Sequence, residues 1–155
     1  MPDWLTHTLA GWITGKAIKM EVGLLVVGSL IPDLVKINLV FLYFDINLHH
    51  FLNPFHTPAG TFIVAGIFAL FFKDSKKAFI PLGIGIITHF ILDFFLVHVS
   101  GGMKLLFPIS WNEWQYYLIR YDDYNVTIIA ILAAILVYVI YFYHKKEKPK
   151  ECIEK

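Results

Sequence analysis

The stretch Gly85-Ile86-Ile87-Thr88-His89-Phe90-Ile91-Leu92-Asp93 lies within an apolar run from Ala78 to Val99. A run of that length can cross a bilayer as a helix. His89 and Asp93 are four residues apart, so a helix projects both from one face, with Gly85 one turn earlier. An acid at mid-bilayer costs about 2.5–3.5 kcal/mol on insertion scales, and such a group faces a partner or a wet cavity rather than lipid. The pair therefore predicts a polar centre opposite this helix, built around a metal or a proton path.

The rest of the chain supports a membrane reading. It has 155 residues, enough for one domain, and is 57% hydrophobic and 17% aromatic. With a mean hydropathy of +0.63, it is too apolar for a soluble domain of this size. A net charge of +1 argues against nucleic acid as a partner and leaves membrane lipids. The lone Cys152 provides neither a disulfide framework nor a cysteine metal knot. The N-terminus has no basic stretch or small-residue cleavage site, so we expect it to be retained.

Before the central stretch, Trp4 to Ile18 is a short apolar segment carrying His7, Gly11 and Gly15 on one face, a spacing that admits a close neighbour. Val22 to Phe44 is interrupted by Pro32-Asp33 and Lys36. The proline should kink or end the helix and aim Asp33 into a site, while an Asp33–Lys36 ion pair is the plainer alternative. A loop with His49 and His50 leads to His56-Thr57-Pro58. Thr57 to Phe72 is a third segment, with Gly60, Ala65, Gly66 and Ala69 available for packing. After the central run comes a connection from Ser100 to Asp123 rich in interfacial aromatics. Val126 to Phe142 is a clean final span.

The expected fold is all-α: a polytopic membrane bundle of four to five transmembrane helices. Residues 1–144 form the embedded domain and residues 145–155 a charged cytoplasmic tail. Lysines set the orientation. With five crossings and the tail inside, Lys16, Lys19, Lys73, Lys76, Lys77 and five tail lysines face the cytoplasm, ten of the thirteen basic residues. His7, the loop histidines, Asp33, His89 and Asp93 then gather toward the outer face as one outward-opening pocket. An internal echo accompanies this: His7-Thr8-Leu9-Ala10-Gly11 recurs as His56-Thr57-Pro58-Ala59-Gly60.

Imidazole nitrogens with carboxylate oxygens suit a divalent metal, zinc first, with manganese or iron as alternatives. Such a metal brings the pKa of its water near neutrality. The candidate ligands are His7, Asp33, His50, His56, His89 and Asp93. Asp33 and Asp93 are also the candidate catalytic carboxylates, and residue types alone leave their roles interchangeable. His49 and His50 are adjacent, so a helix sends them to different sides and one at most is a ligand. His98 reads as interfacial and His144 as part of the lysine tail. Glu113, Asp122 and Asp123 are exposed-loop acids that could complete a site.

Taken together, Thr6-His7-Thr8 with Gly11, Gly28-Ser29-Leu30-Ile31-Pro32-Asp33, His56-Thr57, Thr88-His89-Phe90-Ile91-Leu92-Asp93 and Phe107-Pro108 resemble the YdjM-like family of prokaryotic inner-membrane proteins. That family is described as metal-dependent hydrolases, distantly similar to zinc-dependent phospholipase C and the single-strand nucleases. The resemblance implies that His89 and Asp93 are ligands, completed by Asp33, a loop histidine and His7. Here the loop reads His49-His50-Phe51 where the family has His-Arg, and the last span lacks the soluble enzymes' His-xxx-Glu pair.

The expected function is hydrolysis of an ester or phosphoester, including a lipid-linked substrate, by a metal-activated water at the outer leaflet of the inner or plasma membrane. Two rivals use the same residues: a proton or metal-ion transporter, and a non-catalytic scaffold with a structural metal.

Overall fold

The computed structural model describes residues 4–37, 41, 43–44, 48, 52–95, 102–116, 118, 120 and 124–147. Among them are five α-helices: α1 (Trp4–Ile18), α2 (Val22–Leu30), α3 (Pro58–Ala69), α4 (Ser75–Phe94) and α5 (Asn125–Glu147). Two 3₁₀ helices, Ile31–Ile37 and Asn53–His56, continue α2 and precede α3. The described residues form no strand; Met103 and Trp114 make an isolated antiparallel bridge. The all-α expectation holds.

Pro32 explains where α2 ends. Ile31 still donates to the Val27 carbonyl, but a proline at the next position has no N–H to continue the ladder. The chain tightens into the 3₁₀ turn that carries Asp33. Pro81, by contrast, lies inside α4 without ending it. Helix α3 starts from a side-chain cap, since the Thr57 hydroxyl accepts from Gly60 N at 3.2 Å and Pro58 fills the first helical position.

Small residues bring the helices into backbone contact. A Cβ on Gly28 would overlap the Leu82 carbonyl, and one on Gly85 would overlap the Leu25 carbonyl. Helices α2 and α4 therefore cross with no side chain between them. Gly11 and Gly15 admit α2 against α1, as their spacing predicts: a Cβ on Gly11 would lie 2.7 Å from Ser29 Oγ, and one on Gly15 3.1 Å from Val22. Leu25, Leu82 and Ile86 are fully buried at this junction, and Ala65 and Ala69 bring α3 onto the same core.

Connections between α1 and α2 and between α3 and α4 are short, so the pairs run up and down. The start of α1, the end of α2, the start of α3 and the end of α4 thus share one end of the bundle. That end holds the buried polar residues Thr6, His7, Ser29, Asp33, Thr57, Thr61, His89 and Asp93. Large apolar side chains such as Ile63, Ile87, Ile91, Leu132 and Leu136 are exposed. A polar interior beneath an apolar exterior suits lipid rather than water.

Among the described residues, two helices are long and apolar enough to cross a membrane: Ser75–Phe94, at a mean hydropathy of 1.5, and Asn125–Tyr143, at 2.6. Within the described residues, the first three apolar segments form shorter helices. α1 covers about 22 Å and α3 about 18 Å at 1.5 Å per residue, against roughly 30 Å of hydrocarbon. Helix α5 lies beside α1, with the Thr6 and Thr127 hydroxyls 3.0 Å apart and the Lys16 ammonium 4.3 Å from the Tyr141 ring centroid.

Candidate metal centre

Asp93 is the hub. It lies one turn after His89 on α4, and both are fully buried. Three imidazoles converge on its carboxylate: His7 Nε2 is 3.3 Å from Oδ1, while His56 Nε2 and His89 Nε2 are 3.3 and 3.2 Å from Oδ2. The His7 and His89 rings stack with centroids 3.8 Å apart, and His56 meets His89 edge-on at 5.5 Å. The two echoed segments therefore have a structural counterpart, each sending its histidine to a different oxygen of Asp93.

Ser29 organises the group. Its backbone carbonyl accepts from His89 Nδ1 at 2.7 Å. A carbonyl can only accept, so the proton sits on Nδ1 and the Nε2 lone pair faces the cluster. The Ser29 hydroxyl, 2.9 Å from the His7 carbonyl, ties α1 to the same point. Sequence reasoning gave Ser29 no role. In the sequence it shows only as a serine three residues before Pro32, within Gly28-Ser29-Leu30-Ile31-Pro32-Asp33. His56 ends the 3₁₀ turn rather than entering α3, and the Thr61 hydroxyl holds that turn by donating to the Phe55 carbonyl at 3.1 Å.

Asp33 combines an ion pair to Lys36 with a buried position beside His7 and His89. Oδ2 accepts from Lys36 at 2.5 Å, whereas Oδ1 faces inward. Asp33, His7 and His89 form one set whose possible ligand atoms lie within 4.8 Å of one another, and His56, His89 and Asp93 form a second. His50 and its neighbour His49 lie outside the described residues, as do His98, Asp122 and Asp123. Glu113 stands apart from both sets, with Oε2 accepting from Gly102 N at 3.1 Å beside the Met103–Trp114 bridge.

The donor set fits a divalent metal. His7 Nδ1 and Asp33 Oδ1 are buried without a hydrogen-bond partner, and the Nε2 atoms of His7 and His89 have their 3.3 and 3.2 Å contacts to Asp93. Each buried atom left unsatisfied costs roughly 1–3 kcal/mol. Mixed nitrogen and oxygen donors aimed at a common space remove that cost once a cation lies between them.

The family model described as YdjM inner membrane protein matches residues 2–151, nearly the whole chain. The chain belongs to this family. Comparison with curated proteins and with solved structures gives no match. Membership in an inner-membrane family agrees with the two apolar helices long enough to span, and it places the buried His/Asp cluster in a membrane protein.

Proposed function

We propose that the protein is a membrane-bound metal-dependent hydrolase acting on an ester or phosphoester, including a lipid-linked one. The observation that carries this reading is the convergence of His7, His56, His89 and Asp93 from three separate parts of the chain, with buried donor atoms aimed at one another. When bound, a zinc, manganese or iron ion supplies Lewis acidity and a water with pKa near neutral. His7, His56, His89 and Asp93 would hold it. Asp33, fixed through Oδ2 by Lys36, keeps Oδ1 buried beside the same ligand atoms and would serve there as a proton acceptor. Because Ser29 occupies His89 Nδ1, His89 has one nitrogen for both ligand sets, so the two sets would share one ion through it.

The same reading sets the topology: four to five crossings, the polar end outward, and the C-terminal tail in the cytoplasm. Short α1 and α3 cross where partner helices and the polar cluster thin the apolar requirement. A transporter would need its polar path to continue toward the lysine turns, but α4 continues there with buried Ala78 and Leu82. Hydrolysis should be screened across a phosphoester and carboxylester panel with metal-loaded protein. Asp33→Asn should fold normally and lose at least a hundredfold in turnover. Unchanged turnover in that variant would remove Asp33 from the chemistry, and no turnover of any ester by the metal-loaded protein would sink the hydrolase reading.

A further inference from the structure

The cluster is closed except at one ligand. His7, His89, Asp93 and Asp33 are at most 1% exposed, whereas the His56 side chain is 12% exposed. The way in therefore passes His56. In a 3₁₀ helix side chains three apart eclipse, so Asn53 stands directly over His56, about 6 Å along the axis at about 2 Å per residue. Asn53, Pro54 and Thr57 form one wall of a cleft of about 180 Å³, and Lys104, Phe107 and Trp111 form the other. Among the described residues, no carboxylate lines it.

Among the described residues, Lys104 is its one charged side chain. Among the described residues it makes no ion pair, and its ammonium lies 5.4 Å from the Trp111 ring centroid. A half-buried ammonium on an aromatic face, with an amide opposite, is a site for a compact anion. The anion would sit one 3₁₀ turn from the metal ligands.

We propose that this cleft is a phosphate-binding subsite, with Lys104 and Asn53 holding the phosphate of a phosphoester substrate while the bond to be cleaved reaches the His/Asp cluster past His56. That the anion is part of the substrate rests on the hydrolase reading; that the cleft binds phosphate does not.

The test is acetylation of Lys104 in full-length protein in phosphatidylcholine nanodiscs, read by mass spectrometry with and without inorganic phosphate. Phosphate should slow modification of Lys104 at least tenfold and leave Lys76 and Lys77 unaffected. Lys104→Met should raise the phosphate Kd at least tenfold with metal content unchanged, and Lys104→Arg should restore binding. Repeating the protection with soluble glycerol phosphate and with nanodiscs containing phosphatidic acid separates a soluble substrate from a lipid headgroup. Equal acetylation of Lys104 under all these conditions overturns the proposal, as does an unchanged Kd in Lys104→Met. Protection of Lys104 in protein that holds no metal would keep the cleft and remove the hydrolase reading. A loaded metal centre beside an unprotected Lys104 would do the reverse.

Discussion

Ser29 shows how a residue without catalytic chemistry sets the chemistry of others. Its carbonyl fixes the tautomer of His89 while its hydroxyl holds the His7 backbone, so one residue of α2 positions ligands on α1 and α4. Ser29→Ala keeps the carbonyl and loses the hydroxyl. We expect metal affinity to fall about tenfold, at the lower end for partners that orient ligands, with helix content unchanged. Competition with a chromophoric chelator measures it, and an unaltered Kd would show that the hydroxyl does not matter. The His89/Asp93 pair was legible in the sequence because two polar groups at helical spacing inside an apolar run have few bland explanations. His7 and His56 were legible mainly through their shared motif. Ser29 was not, because its partner is a histidine sixty positions away and its contribution is made by the backbone, which the sequence leaves unmarked.

Among the elements, the α2–α4 crossing decides whether the site assembles. Gly28 and Gly85 let two backbones touch, which places Ser29 and Asp33 opposite His89. Gly85→Ala or Gly28→Ala forces the helices apart against backbone, which does not yield as a flexible side chain does. We expect about 1–3 kcal/mol of destabilisation in each, together with weaker metal binding. Gly23 meets nothing within 4 Å, and Gly23→Ala should be neutral or slightly stabilising. Thermal unfolding in detergent separates the two classes; equal melting temperatures for Gly85→Ala and Gly23→Ala would contradict the close crossing. The sequence indicated such contacts at Gly11 and Gly15 from their spacing, and it put a break at Pro32. It did not reveal the 3₁₀ turn at Asn53–His56, because a four-residue turn has no periodicity to read and is held by Thr57 and Thr61 hydroxyls.

At the scale of the whole molecule, the up-and-down path gathers one end of each of α1 to α4 into a polar centre and leaves lysine turns at the opposite end. Cys152, the lone cysteine, is a native reporter of the resulting orientation. A membrane-impermeant maleimide should label it in inverted vesicles and leave it unlabelled in intact spheroplasts, and the opposite pattern would reverse the topology. Membrane character was legible from composition alone, whereas the number of crossings was not, since α1 and α3 are shorter than a bilayer and are held by neighbours rather than by length. The central claim is that these buried histidines and acids bind a metal. Elemental mass spectrometry of detergent-purified protein, beside folded His89→Ala and Asp93→Ala, tests it most directly. About one zinc, manganese or iron per chain in the wild type, lost in both variants, is the predicted result. Well-folded wild-type protein that holds no metal even after reloading would contradict it.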